Sequence, residues 1–209
     1  MSGGAGVLPP RLVLATGNAG KLREMRAILS PWSVDVRPQS EFTREAVEET
    51  GLSFVENAIL KARFAARVSG LPAIADDSGL EVDALHGAPG IYSARYAGAA
   101  TDDAANNARL LGELADVPDA QRSARYRCAM VYMRWPLDPA PVVCQASWEG
   151  RIARLPRGEG GFGYDPLFLV GTGERTAAEL DAEHKNHRSH RGQALRALVA
   201  ALAGVSCKS

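Results

Sequence analysis

Residues 74–81 read Ile-Ala-Asp-Asp-Ser-Gly-Leu-Glu, a short apolar run that meets two adjacent carboxylates and then a turn. Asp76 and Asp77 side by side repel each other unless a cation or a proton relieves them. Metal-assisted chemistry uses such a pair, and a turn with helix-cap duties is the structural alternative. A second acidic stretch, with Glu45, Glu48 and Glu49, precedes Ser53. Mg2+ typically takes one or two carboxylates together with substrate phosphates and water. A solvated charge run explains those glutamates equally well.

Three other stretches carry candidate chemistry. Thr16-Gly17-Asn18-Ala19-Gly20-Lys21 reads as a strand-to-helix turn, where backbone amides and a helix N-terminus favour an anion and Lys21 adds a full charge. It is not a P-loop, which needs four residues between its glycines and Ser or Thr after the lysine. A helix cap beside a solvated lysine would look the same. Residues 160–166, Gly-Gly-Phe-Gly-Tyr-Asp-Pro, set Phe162 between glycines, where nothing crowds its face against a planar ligand. Alternatively, Phe162 and Tyr164 simply enter the core. Residues 185–191, Lys-Asn-His-Arg-Ser-His-Arg, read as a basic turn running into the last helix. Such cations suit phosphate or carbonyl recognition, or a solvated turn. His190 and Arg191 fall in the first turn of that helix, where the dipole disfavours cations, which argues for a role beyond stability.

The elements that must position these residues follow from periodicity. Residues 11–15 form a strand, residues 19–30 a helix stopped by Pro31, and residues 34–37 a second strand. Ser53-Phe-Val-Glu56 is a capping box opening a helix whose apolar face is Val55, Ala58, Ile59, Ala62 and Ala66, ended by Gly70. Residues 72–75 make a short strand leading to the Asp pair. Thr101 or Asp102 caps a helix with Ala105, Ala108, Leu111 and Leu114 inward. Residues 124–134 alternate as a central strand, with Tyr126, Cys128, Met130 and Tyr132 on one face, and residues 142–148 return as its hairpin partner. Thr176 to Glu179 is another capping box, and Ser189 opens a final helix to about Ala203. The pattern predicts an α/β protein with a mixed sheet.

The 209 residues suit one domain, or one domain of two lobes, over residues 11–209, preceded by a flexible tail over residues 1–10. The formal net charge is zero, with 24 basic and 24 acidic residues, so no global field holds a nucleic acid polymer or a membrane. Cys128, Cys144 and Cys207 are odd in number and widely spaced, suggesting neither a disulfide framework nor a zinc site. With neither a signal peptide nor a membrane span in the sequence, the expected setting is cytoplasmic.

Taken in order, residues 12–202 resemble the inosine triphosphate pyrophosphatase family, the Ham1-like purine nucleoside triphosphatases. The resemblance rests on residues 53–61, 73–80, 88–98, 160–166 and 189–195. It implies a two-lobed mixed-sheet α/β fold with a central cleft, an architecture shared with anticodon-binding-like and Maf-like proteins. It further implies Mg2+-dependent hydrolysis of ITP, dITP and XTP to the monophosphate and pyrophosphate, by a homodimer that keeps hypoxanthine and xanthine out of DNA and RNA. By the same resemblance Asp77 is the proton acceptor and a metal ligand, with Glu48 a second ligand. Thr16, Gly17, Asn18, Ala19, Gly20 and Lys21 cradle the triphosphate, and Ser78 contacts substrate. Phe162, Gly163, Tyr164, Asp165, Lys185, His190 and Arg191 form the base pocket.

On that reading Asp77 activates water, and donors from His190 and Arg191 pair with the purine 6-oxygen and are left unsatisfied opposite adenine. Guanine shares that oxygen, so its rejection must come from its 2-amino group. Two rivals remain: a septum-formation-type pyrophosphatase acting on modified pyrimidines, and a non-catalytic nucleotide-binding module. The Phe162 loop with Ser189-His-Arg argues against the first, and the presence of Asp77 and Lys21 against the second.

Overall fold

Side-chain caps start the helices where short polar residues precede apolar periodicity. In the computed structural model, which describes residues 8–98 and 102–204, Asn18 caps α1 (Ala19–Leu29) and Ser53 caps α2 (Phe54–Ser69). Ser53 Oγ accepts from Glu56 N at 3.3 Å and donates to Glu56 Oε2 at 2.8 Å, while the backbone N–H that Glu56 accepts is that of Leu52, one residue before the expected Ser53. Gly70, at φ 66°, ends α2 in the left-handed region. Asp102, the nearer of the two expected caps, accepts from Ala104 and Ala105 at the start of α3 (Asp103–Glu113). The other candidate, Thr101, lies outside the described residues, as do Cys207 and most of the expected N-terminal tail.

The remaining elements are β1 (Arg11–Leu14), β2 (Asp35–Pro38), β3 (Ala73–Val82), β4 (Ser123–Met133), β5 (Val142–Ile152) and β6 (Phe168–Val170), with α4 (Ala182–Arg188) and α5 (His190–Leu202) closing the order. The strands bond in the order β2-β1-β3-β4-β5-β6. β1 is parallel to β2 and to β3, whereas β5 and β6 are antiparallel, so the sheet is mixed. The fold is α/β, as the sequence pattern predicts.

The chain packs as two compact units. Among the described residues the first comprises 8–77, 128–146 and 191–204, and the second 78–98, 102–127 and 147–190. In the first, strand alternation builds two cores. Leu12, Leu14, Ile74 and Met130 pack with Met25 and Leu29 of α1 and Leu195 and Leu198 of α5. Val13, Ala15, Ala73, Ala75 and Val131 pack with Ala58, Ala62, Ala65 and Ala66 of α2. Small residues on α2 let it lie close to the strands. Cys128 is buried among the first set, and burial pushes its thiol up to about 12, leaving it unreactive.

The second unit is built on Leu80, Val82, Leu110, Leu114, Tyr126, Trp148, Leu167 and Phe168. Arg122, 2% exposed, braces it by donating to the carbonyls of Leu114, Ile152 and Ala153 at 2.6, 2.9 and 3.1 Å.

Three expectations need correction. β3 does not stop at Ala75 but runs through Asp76 and Asp77 to Val82, because cations stand on both of its faces. The inward face of α3 is shifted: Leu114 is buried and Leu111 packs on the core as expected, but Asn106 and Leu110 are buried with them and Ala108 is exposed. Buried Asn106 is satisfied by accepting from Ala97 N at 2.7 Å and donating to Ala94 O. Residues 182–188 are the helix α4, capped by Asp181, where a basic turn is expected.

Candidate functional site

The alternation of β3 resolves the repulsion between the adjacent aspartates. Asp76 shares parity with Ile74 and faces α1 and α5, whereas Asp77 shares parity with Ala73 and Ala75 and faces α2. Each carboxylate therefore meets its own cations. Asp76, 1% exposed, is 3.2 Å from Lys21 Nζ and 3.2 Å from Arg191 Nε. Arg191 also pairs with Glu24 of α1 through Nη1, and its side chain is 3% exposed. Burial opposes the charge on Arg191, but Asp76 and Glu24 outweigh it and raise its pKa above the ordinary value. The two carboxylates explain a cation in the first turn of α5, and they occupy the guanidinium expected to read a base.

On the opposite face, Lys61 of α2 donates to Asp77 Oδ1 at 2.7 Å and to Glu49 Oε1 at 3.1 Å. Burial pushes the Asp77 carboxyl above its ordinary value, with Lys61 pulling the other way. Burial likewise works against the Lys61 charge, but Asp77, Asp76 and Glu49 outweigh it and raise its pKa. Asp77 Oδ2 is buried and makes no hydrogen bond among the described residues. A carboxylate oxygen in that condition is an open acceptor.

The acidic stretch reaches this face through a backbone clamp. Gly51 N donates to Asn57 Oδ1 at 2.8 Å, and a Cβ at Gly51 would stand 2.7 Å from that same oxygen. Glu49 is half-buried against Lys61, while Glu48 is exposed. Among the described residues no three His, Cys, Asp or Glu side chains gather as for a metal ion.

The loop before α1 is held by its own side chains: Asn18 N donates to Thr16 Oγ1 at 3.1 Å, and Lys21 N donates to Asn18 Oδ1 at 3.0 Å. Gly17, Asn18 and Ala19 are exposed, while Gly20 is buried within the helix. Neither glycine has a positive φ. The turn needs the cap rather than glycine's freedom. Ser78 follows Asp77 on β3 and opens the second unit.

The second unit gathers the aromatic loop and α4. Asp165, 3% exposed, is the hub: Oδ2 accepts from Phe162 N at 2.8 Å and from Lys185 Nζ at 2.6 Å, and Oδ1 accepts from Tyr126 Oη at 3.1 Å. Lys185 Nζ lies 4.9 Å from the Phe162 ring centroid. His190 stacks on Tyr126, with centroids 4.7 Å apart and planes at 11°. Gly163 is fixed by Asp103 and Asn107 of α3, at 2.7 and 2.9 Å. The two aromatics of the loop part company: Phe162 is half-buried, while Tyr164 enters the core and donates to Ser93 O at 2.8 Å. Tyr164 therefore offers a ligand its backbone only.

Gly161, at φ 76°, allows this hub to form, because a Cβ there would land on Asp165 Oδ2. If this loop meets a nucleotide base, as the sequence leads one to expect, Gly161→Ala raises the apparent Kd for ITP by about tenfold through loss of the Phe162 and Lys185 bonds. Titration calorimetry checks this, and unchanged binding in the folded variant would contradict it.

Two residues absent from the sequence-based candidates thus stand at the site, Glu24 and Lys61, and of the acidic stretch it is Glu49 that pairs with Lys61. Lys61 was findable. It follows the sheet-facing Ala58 by one helical turn, a position where a cation needs a carboxylate opposite it.

The Ham1 family model matches residues 12–201. A dITP/XTP pyrophosphatase of Shigella flexneri is 59% identical over 192 residues, covering 92% of this chain and 98% of its own. One from Thioalkalivibrio sulfidiphilus is 60% identical over 194 residues, covering 93% and 99%. Among solved structures, a HAM1 protein from Coxiella burnetii superposes with a TM-score of 0.85 at 50% identity, over 94% of this chain and 100% of that one. A nucleoside-triphosphatase, or dITP/XTP pyrophosphatase, from Mycobacterium abscessus gives 0.72 at 46% identity, over 90% and 98%.

Proposed function

Because the chain belongs to the Ham1 family, we propose that it hydrolyses ITP, dITP and XTP to the monophosphate and pyrophosphate. The observation that carries this reading is Asp77, whose one oxygen is fixed by Lys61 while the other is buried and open. Asp77 Oδ2 accepts a proton from water as the water oxygen attacks the α-phosphorus. The bond from that phosphorus to the bridging oxygen breaks, and pyrophosphate leaves with the electron pair. Lys61 orients Asp77 and opposes the burial that disfavours its charge.

Residues 16–20 and Lys21 take the triphosphate, where the α1 N-terminus and an ammonium stabilise the leaving group. Lys21 is held for this by Asp76. Ser78 is the further substrate contact. In the second unit Phe162 takes the face of the base, with the Gly163 to Asp165 backbone alongside. His190 supplies a donor to the purine 6-oxygen, and Lys185, bonded to Asp165, stands beside the Phe162 ring. A donor aimed at that oxygen is left unsatisfied opposite the 6-amino group of adenine, which discriminates strongly. Arg191 belongs to Asp76 and Glu24 in this scheme.

Mg2+ belongs to the same proposal, and the residues present fit it. The open oxygen of Asp77 and the nearby Glu49 are hard oxygen donors, with Glu48 next along the chain. When bound, the ion would supply neutralisation of phosphate charge. Homodimerisation and a cytoplasmic setting complete the reading; no described helix is long and apolar enough to cross a membrane.

The test is a turnover panel of ITP, dITP, XTP, GTP, ATP, dUTP and TTP, scored separately for pyrophosphate and orthophosphate, with Mg2+ or with chelator. Pyrophosphate release from ITP and XTP, well above ATP and dependent on Mg2+, is expected. Release of orthophosphate, or preference for pyrimidines, would overturn the proposal.

A further inference from the structure

Tyr126 touches both parts of the base-reading cluster without having been assigned any part in it. It lies on β4, 8% exposed, with its ring among Phe168 and Trp148 at centroid distances of 4.6 and 6.4 Å. One face of that ring stacks nearly parallel on His190, and its hydroxyl donates to Asp165 Oδ1. The same Asp165 holds Phe162 N and Lys185 Nζ. A strand residue wedged between aromatics moves little, so it can fix the plane of one neighbour and the rotamer of another.

We propose that Tyr126 is a specificity-positioning residue: its ring holds the His190 imidazole at the angle that meets a purine 6-oxygen, and its hydroxyl holds Asp165. The inference rests on the proposed function and adds a division of labour to it. A donor discriminates between an oxygen and an amino group only if it cannot swing away from the wrong partner. The stack supplies that constraint. The hydroxyl acts through Asp165 on Phe162 and Lys185; its main effect is on the stacking platform, which accepts the π-face of any base. Ring and hydroxyl therefore have separable consequences.

The experiment compares wild type, Tyr126→Phe and Tyr126→Leu, measuring kcat and KM for ITP and ATP together with thermal unfolding. Tyr126→Phe keeps the ring, so KM should rise about threefold for both nucleotides while the ITP to ATP ratio of kcat/KM stays within about twofold of wild type. Tyr126→Leu loses the stack, and the ratio should fall about tenfold, chiefly through KM for ITP. Tyr126→Met carries the same expectation should the leucine variant not fold. A folded leucine or methionine variant with the wild-type ratio would overturn the inference, as would a phenylalanine variant that loses the ratio as fully as leucine. Should wild type itself fail to prefer ITP, the functional reading falls and this inference with it. A wild type that prefers ITP, with variants that do so equally, removes the inference alone.

Discussion

Asp77→Asn is expected to lower kcat for ITP about a thousandfold or more, the range associated with a positioned general base, while the protein still folds. The amide matches the carboxylate in shape, so β3 and α2 have no reason to move. What disappears is the charge that accepts a proton, together with one partner of Lys61, which retains Glu49 at 3.1 Å. Burial already disfavours the Asp77 carboxylate, so the substitution removes an electrostatic cost along with an ion pair, and the melting temperature should change little. Pyrophosphate release at saturating ITP gives kcat, and circular dichroism gives the melt. A folded variant retaining a tenth of wild-type turnover would remove Asp77 from the base role. A variant that is inactive because it unfolds would show instead that the Lys61 pair is structural.

How much of this was legible in the sequence depends on how far apart the partners lie. Local signals read true: the cap at Ser53, the box at Thr176, the Asn18 turn, and the glycine that ends α2 each act within four residues. Alternation along β4 was legible for the same reason. The Asp76-Asp77 pair was recognisable as anomalous, but the resolution of the anomaly was not. Its cations come from α1, α2 and α5, as far as 115 residues away, and no periodicity announces a partner at that distance.

The basic segment from Lys185 to Arg191 was less legible for a related reason. Its residues look alike in sequence, yet Lys185 goes to Asp165, His190 to Tyr126, and Arg191 to Asp76 and Glu24. Density of charge suggested one shared ligand, whereas the backbone break at Ser189 sends the side chains to separate partners. Tyr164 and Phe162 show the same limit: two aromatics two residues apart in a glycine-rich loop carry no mark telling which enters the core. Hydrogen bonding to Ser93 decides it.

Arg191→Met should cost about 3–5 kcal/mol of stability, the scale for removing one partner of a buried ionic cluster. Asp76 would keep Lys21 at 3.2 Å, but Glu24, whose side chain is 13% exposed, would lose the guanidinium. Adding Glu24→Gln should recover part of the loss, because it neutralises a carboxylate that has lost the guanidinium; residues in one network do not add. Urea unfolding of the two single variants and the double variant measures the coupling, and strict additivity would contradict the cluster as described. The same variants decide what Arg191 does for catalysis. If its guanidinium read the base, Arg191→Met would lower the ITP to ATP ratio of kcat/KM while leaving the triphosphate end unaffected. If it holds Asp76, and through Asp76 the ammonium of Lys21, the substitution should raise KM for both nucleotides alike and leave their ratio unchanged. Burial of Arg191 between two carboxylates favours the second outcome, because a donor already committed to charged acceptors gains little by turning to a neutral carbonyl.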